Sequence, residues 1–139
     1  MGDSKLIPTN RFRILIVDDE RIVREVFRQI IQFEVPELEM DFAKNGAEAV
    51  ESFCRYHQGL ILLDLCMPVM SGETAFYEIC RICASENMER PSVVFCTGFN
   101  PSDSDGVRAI VDKDEAHCLL QKPVRLKVLV EALKSRLCL

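Results

Sequence analysis

At 139 residues the chain has room for one domain, with a core that needs no disulfide or metal staple. A composition 48% hydrophobic and 28% charged excludes wholesale disorder, and 17 basic against 22 acidic residues excludes broad binding to a nucleic-acid backbone. No apolar run approaches the ~20 residues that span a bilayer, and residues 1–10 lack the apolar stretch of a secretory signal.

The first ten residues read as a flexible tail and residues 11–139 as one domain. Residues 12–17 form a near-continuous apolar run that ends at Asp18, as in a strand covered on both faces. Ile22, Val23, Val26, Phe27, Ile30 and Ile31 then recur at helical spacing, and Pro36 stops that helix. Residues 38–43 alternate apolar and acidic side chains, the pattern of a strand near a sheet edge. Asn45 and Glu48 form a capping pair for a second helix carrying Ala49, Val50 and Phe53.

Residues 60–63 are a third strand, ending at Asp64. Ser71-Gly72 opens a third helix with Ala75, Phe76, Ile79, Ile82 and Cys83 on one face. A fourth strand over residues 93–96 ends at Thr97. Val107, Ile110 and Val111 mark a fourth helix, whose propensity Gly106 lowers. Residues 118–120 form a fifth strand running into Lys122-Pro123, and Leu126, Leu129, Val130, Leu133 and Leu137 line a last helix. Five strands and five helices in strict alternation predict a doubly wound (βα)5 domain with a five-stranded parallel sheet. The pattern runs to the last helix, and no output domain is expected within these 139 residues.

Seven cysteines lie scattered, several inside apolar runs, where a thiol acts as a small hydrophobe. Cys80 and Cys83 form a lone C-x-x-C without a second pair or a histidine at zinc spacing. Free thiols fit a reducing, cytoplasmic compartment. His57 falls near a helix end and His117 at a strand start, and neither has the surroundings of a phosphodonor.

The polar residues carry the functional signal. Asp18, Asp19, Asp64, Thr97 and Lys122 each fall at the carboxyl end of a predicted strand, where open parallel sheets form their ligand crevice. One such Asp alone is usually a helix cap. Together they place three carboxylates, a hydroxyl and an ammonium in one crevice. The carboxylates repel one another, and a hard dication with oxygen ligands relieves this. Such a set suits a transferring phosphoryl group, whose equatorial oxygens carry the charge.

Val17-Asp18-Asp19-Glu20, Asp64-Leu65-Cys66-Met67-Pro68-Val69-Met70-Ser71-Gly72, Thr97-Gly98 and Lys122-Pro123 resemble the response-regulator receiver family of two-component signalling. The likeness runs from about residue 11 to the C-terminus. It implies a flavodoxin-like strand order 2-1-3-4-5 and a signalling domain rather than an enzyme. Asp64 is then the phosphoacceptor, with Thr97 and Lys122 holding the phosphoryl oxygens. Asp18, Asp19, Asp64 and the backbone carbonyl of Cys66 are the implied Mg²⁺ ligands, and Lys122-Pro123 the implied cis bond. The implied partners are a histidine kinase or phosphotransfer protein as donor, and a downstream protein at the face built from the fourth helix, fifth strand and fifth helix. A homodimer of the phosphorylated form belongs to the same expectation; direct nucleic-acid or membrane binding does not.

Three positions depart from the family pattern. Leu119 stands where an aromatic normally precedes the Lys by three places, which weakens the expected coupling to the hydroxyl residue. Cys66 and Phe99 occupy the places that tune phosphoryl lifetime, and neither orients an attacking water, so slow hydrolysis is expected. Val128 and Leu139 extend an interaction face on the last helix. The alternative function is a receiver-like module that binds partners without phosphorylation. An aspartate-nucleophile phosphatase fits less well, because Asp64-Leu65-Cys66 lacks the second acid, and the six glycines never form G-x-G-x-x-G or a P-loop.

Overall fold

A computed structural model describes residues 5–98 and 105–137. The elements run β1 (Asn10–Val17), α1 (Arg21–Glu34), β2 (Glu39–Ala43), α2 (Gly46–Tyr56), β3 (Gln58–Asp64), α3 (Gly72–Glu86), β4 (Ser92–Thr97), α4 (Asp105–Lys113), β5 (Cys118–Gln121) and α5 (Leu126–Leu137). The strands pair in parallel in the order β2-β1-β3-β4-β5, the expected doubly wound arrangement with β2 at one edge.

Strand side chains alternate between two cores because the pleat has period two. Leu15, Val17, Ile61, Leu63, Val93 and Phe95 face a cluster completed by Phe53 of α2, Phe76 and Ile79 of α3, and Val107 of α4. Ile14, Ile16, Leu60, Leu62, Val94 and Cys96 face the other layer, with Phe27 and Ile31 of α1 and Leu129 and Leu133 of α5. Both faces of the central strands are covered, which is why β1 and β3 read as apolar runs.

Local chemistry sets the helix ends. The Asn45 side chain accepts from the Glu48 N–H at 2.8 Å, and Glu48 Oε1 accepts from the Lys44 N–H at 3.1 Å, the expected capping pair. Ser71 caps α3 by accepting from the Thr74 N–H at 3.2 Å. His57 and Asn87 end α2 and α3 in the left-handed region, with φ of 52° and 56°. The Lys122-Pro123 bond is cis.

The expected tail is amended for residues 5–10. Asn10 belongs to β1 and pairs with Gln58, and Ile7 makes a parallel bridge to Met88. The Ile7 N–H donates to Asn87 O at 2.8 Å, and the Glu89 N–H donates to Ile7 O at 2.8 Å. The loop entering β4 offers free backbone groups, and this segment satisfies them.

Some of the thiols pack inside the domain, whereas Cys54 and Cys66 are exposed. Cys83 and Cys96 are buried and free, and burial pushes their pKa up to about 11 and about 12. His117 is buried too. Its Nδ1 accepts from the Val93 N–H at 3.0 Å, and burial holds its pKa below the ordinary value. That is a structural histidine joining β4 to β5.

Candidate acidic site at the strand ends

Register brings the strand ends level. Val17 pairs with Ala43 and Leu63, Asp64 with Cys96, and Thr97 with Gln121. Asp18, Asp64, Thr97 and Lys122 therefore meet along one edge.

Lys122 links the acids. Its Nζ donates to Asp18 Oδ2 at 2.8 Å and stands 3.4 Å from Asp64 Oδ1. Asp18 Oδ1 also accepts from the Glu20 N–H at 2.9 Å, and Asp64 Oδ1 accepts from the Cys66 N–H at 3.2 Å. Arg24 Nη1 donates to the Asp18 carbonyl at 2.6 Å, fixing the turn into α1. Asp18 and Asp64 are buried, whereas Asp19 and Cys66 are exposed.

Thr97 lies beside this pair through its backbone, its carbonyl accepting from the Lys122 N–H at 2.8 Å. Its Oγ1 is buried and has no hydrogen-bond partner among the described residues. A buried hydroxyl without a partner costs about 1–3 kcal/mol, so a missing acceptor would recover free energy there.

The electrostatics run in the same direction. Burial, and then the neighbouring Asp18 charge, push the Asp64 carboxyl up to about 6, against the opposing pull of Lys122 and the Cys66 N–H. For Lys122, burial lowers the pKa, but the Asp18 hydrogen bond and the Asp64 charge outweigh it, and the net shift is upward. The ammonium is held charged, and the acids are short of positive charge.

One carboxylate oxygen from each of Asp18, Asp19 and Glu20 lies within 4.8 Å of the other two. Glu20 joins the cluster although sequence reasoning assigned it no role; its place directly after the acid pair was the available signal. Asp64 is not in that trio and connects to it through Lys122. The donor set is hard oxygen throughout, and two of its acids reach solvent. Those residues fit a hard dication such as Mg²⁺. Phe99 lies outside the described residues.

A family model for the response regulator receiver domain matches residues 14–134. The chain belongs to that family. Its receiver domain is 30% identical to the chemotaxis protein CheY of Bacillus subtilis over 130 residues, covering 90% of this chain and 97% of that protein. It is 32% identical to response regulator MprA of Mycobacterium leprae over 125 residues, where it matches 50% of the longer relative. Among solved structures, the receiver domain of Saccharomyces cerevisiae Ssk1, crystallised with the histidine phosphotransfer protein Ypd1, superposes with a TM-score of 0.77. That superposition covers 96% of this chain and 92% of the other at 24% identity, a likeness of fold. The receiver domain is thus a signal receiver of the two-component type. Among the described residues no helix is long and apolar enough to cross a membrane.

Proposed function

We propose that this receiver domain takes a phosphoryl group onto Asp64 in a Mg²⁺-dependent reaction and thereby changes partner binding. The observation that carries the reading is the Lys122 ammonium set between Asp18 and Asp64, 2.8 and 3.4 Å away, at the level where the strands end.

An Asp64 carboxylate oxygen attacks phosphorus in line. The new O–P bond forms as the bond from phosphorus to a donor histidine nitrogen, or to the oxygen of a small acyl phosphate, breaks, and its electron pair leaves with the donor. Asp18, Asp19, Asp64 and the Cys66 carbonyl would hold Mg²⁺, with Glu20 beside them. When bound, the ion supplies charge neutralisation for the phosphoryl oxygens. Lys122 meets one of those oxygens, and the Thr97 hydroxyl gains in another the acceptor it lacks. Drawing Thr97 inward passes the event to the face of α4, β5 and α5.

The surface supports protein partners on two sides. On α1, Ile22, Val26 and Phe33 are 78%, 47% and 82% exposed and follow helical spacing along one stripe, a fit to an apolar helix of a kinase or phosphotransfer protein. On α5, Leu126 and Val128 are exposed and extend the downstream face, which also serves for a homodimer of the phosphorylated form. Leu139 lies outside the described residues.

Intact-mass spectrometry after incubation with acetyl phosphate and Mg²⁺ tests the reading. One added phosphate is expected, absent with chelator and absent in Asp64→Asn. Phosphate that persists in Asp64→Asn, or never arrives in the wild type, overturns it.

A further inference from the structure

The end of β3, which carries Asp64, is tied to α3, and α3 to α4, through two glycines. A β-carbon on Gly72 would overlap the Asp64 carbonyl oxygen and stand 3.0 Å from both Asp64 C and Leu65 Cα. The Gly72 N–H also donates to Leu65 O at 3.2 Å. The first residue of α3 therefore rests on the acceptor's own peptide, with no slack between them. Its next residue, Glu73, reaches across to the second residue of α4. A β-carbon on Gly106 would overlap Glu73 Oε1, at 3.0 Å from Glu73 Cδ and 3.2 Å from Oε2. With Glu73 in this conformation its carboxyl group fills the space that a side chain at residue 106 would take, and a larger residue there would have to push it aside.

A carboxylate in the first turn of a helix faces unsatisfied N–H groups and the positive end of the macrodipole. Glu73 is in that position twice over, within the first turn of α3 and against the first turn of α4. Elsewhere α4 meets the body mainly through Val107, Ile110 and Val111 in the core and through β5. Its first turn is held by Val107, fully buried in the core, and by the Glu73 carboxyl group on Gly106.

We propose that Glu73 seated on Gly106 is a latch between the acceptor end of β3 and α4, released when Asp64 is phosphorylated. The proposal rests on the reading of Asp64 as acceptor. Turning the Asp64 carboxylate into an acyl phosphate adds about one net negative charge and extends it outward from the strand end that Gly72 packs against. Glu73 shares that N-terminus and follows directly after the residue packed on Asp64. The new anion competes with it for the positive helix end and repels it. The carboxylate then leaves Gly106, and the first turn of α4 loosens.

Amide hydrogen exchange of residues 107–113 reads the latch, with occupancy of Asp64 followed by intact mass in the same samples. In unmodified protein, Glu73→Ala is expected to speed that exchange at least fivefold and leave β1 and β3 unchanged, with Glu73→Gln in between. Phosphorylated wild type is expected to approach the Glu73→Ala rate, and phosphorylating Glu73→Ala to add nothing. In Gly106→Ala the methyl group evicts the carboxylate while improving helix propensity, so a further Glu73→Ala change is expected to have no effect. Additive effects of Glu73→Ala with phosphorylation, or with Gly106→Ala, overturn the latch, as does unchanged α4 exchange in Glu73→Ala. A wild type that never gains phosphate mass overturns the acceptor reading instead. The contact of Glu73 with Gly106 is then still decided by the Glu73 and Gly106 variants in unmodified protein.

Discussion

Val69 has a φ of 69°, in the left-handed region that a β-branched side chain tolerates poorly, and its side chain is 84% exposed. Burial returns almost nothing for that strain, which amounts to about 1–2 kcal/mol. Val69→Asn is therefore expected to raise the free energy of unfolding by about 1 kcal/mol in a urea titration, because Asn accepts this conformation. Asp64 carries a cost of another kind. Its folded pKa, about 6, lies above its ordinary carboxylate value, so the stabilising contribution is complete in acid and is lost as pH rises through 6. Asp64→Asn is accordingly expected to be more stable than wild type at pH 7.5 with chelator present, by on the order of 2 kcal/mol. The difference narrows as pH falls and closes only at about pH 3.5, below the ordinary carboxylate value. Equal stability at both pH values would show that Asp64 ionises without penalty.

At the scale of elements, the sequence carried most of what the fold uses. Apolar runs marked β1, β3 and β4 because both sheet faces are covered, and Asn45 with Glu48 marked the start of α2 because that cap is local chemistry. Asn45→Ala is expected to cost about 1 kcal/mol in the same titration, with the loss confined to α2 in hydrogen exchange. What stayed illegible depends on long-range contact. The strand character of Asn10 comes from Gln58, and the hold on Ile7 comes from Met88 and its neighbours. Local periodicity contains neither. The site divides along the same line. Asp18, Asp64, Thr97 and Lys122 could be placed together because strand ends converge in this topology. The particular bridge made by Lys122, the orphaned Thr97 hydroxyl and the seat of Glu73 on Gly106 are matters of side-chain reach. Gly106 stood out in the sequence only as a poor helix former.

For the molecule as a whole, the acidic edge gathers like charges that burial makes costly. Asp18, Asp19, Glu20 and Asp64 face one local ammonium, Lys122. A ligand that supplies positive charge stabilises the folded state by mass action, about 2.7 kcal/mol at a hundredfold excess over its dissociation constant. Mg²⁺ is therefore expected to raise the melting temperature at pH 7.5 by several degrees, given the roughly 2–8 °C per kcal/mol typical of domains near this size. The gain shrinks near pH 5, where Asp64 is protonated, and shrinks in Asp64→Asn at either pH. A Mg²⁺ shift of the same size in all four conditions would place the ion elsewhere.

Residues 5–9 lead into β1 at the edge of the sheet where its strands begin, anchored there by Asn87 and Glu89. All five strands point the same way, so this lead-in and the acids are separated by the length of β1, eight residues or about 26 Å. A dye or surface tether coupled at Lys5 would sit on the far rim from Asp64 and Lys122. Immobilised in that orientation, the domain would present its acidic edge outward to proteins in solution.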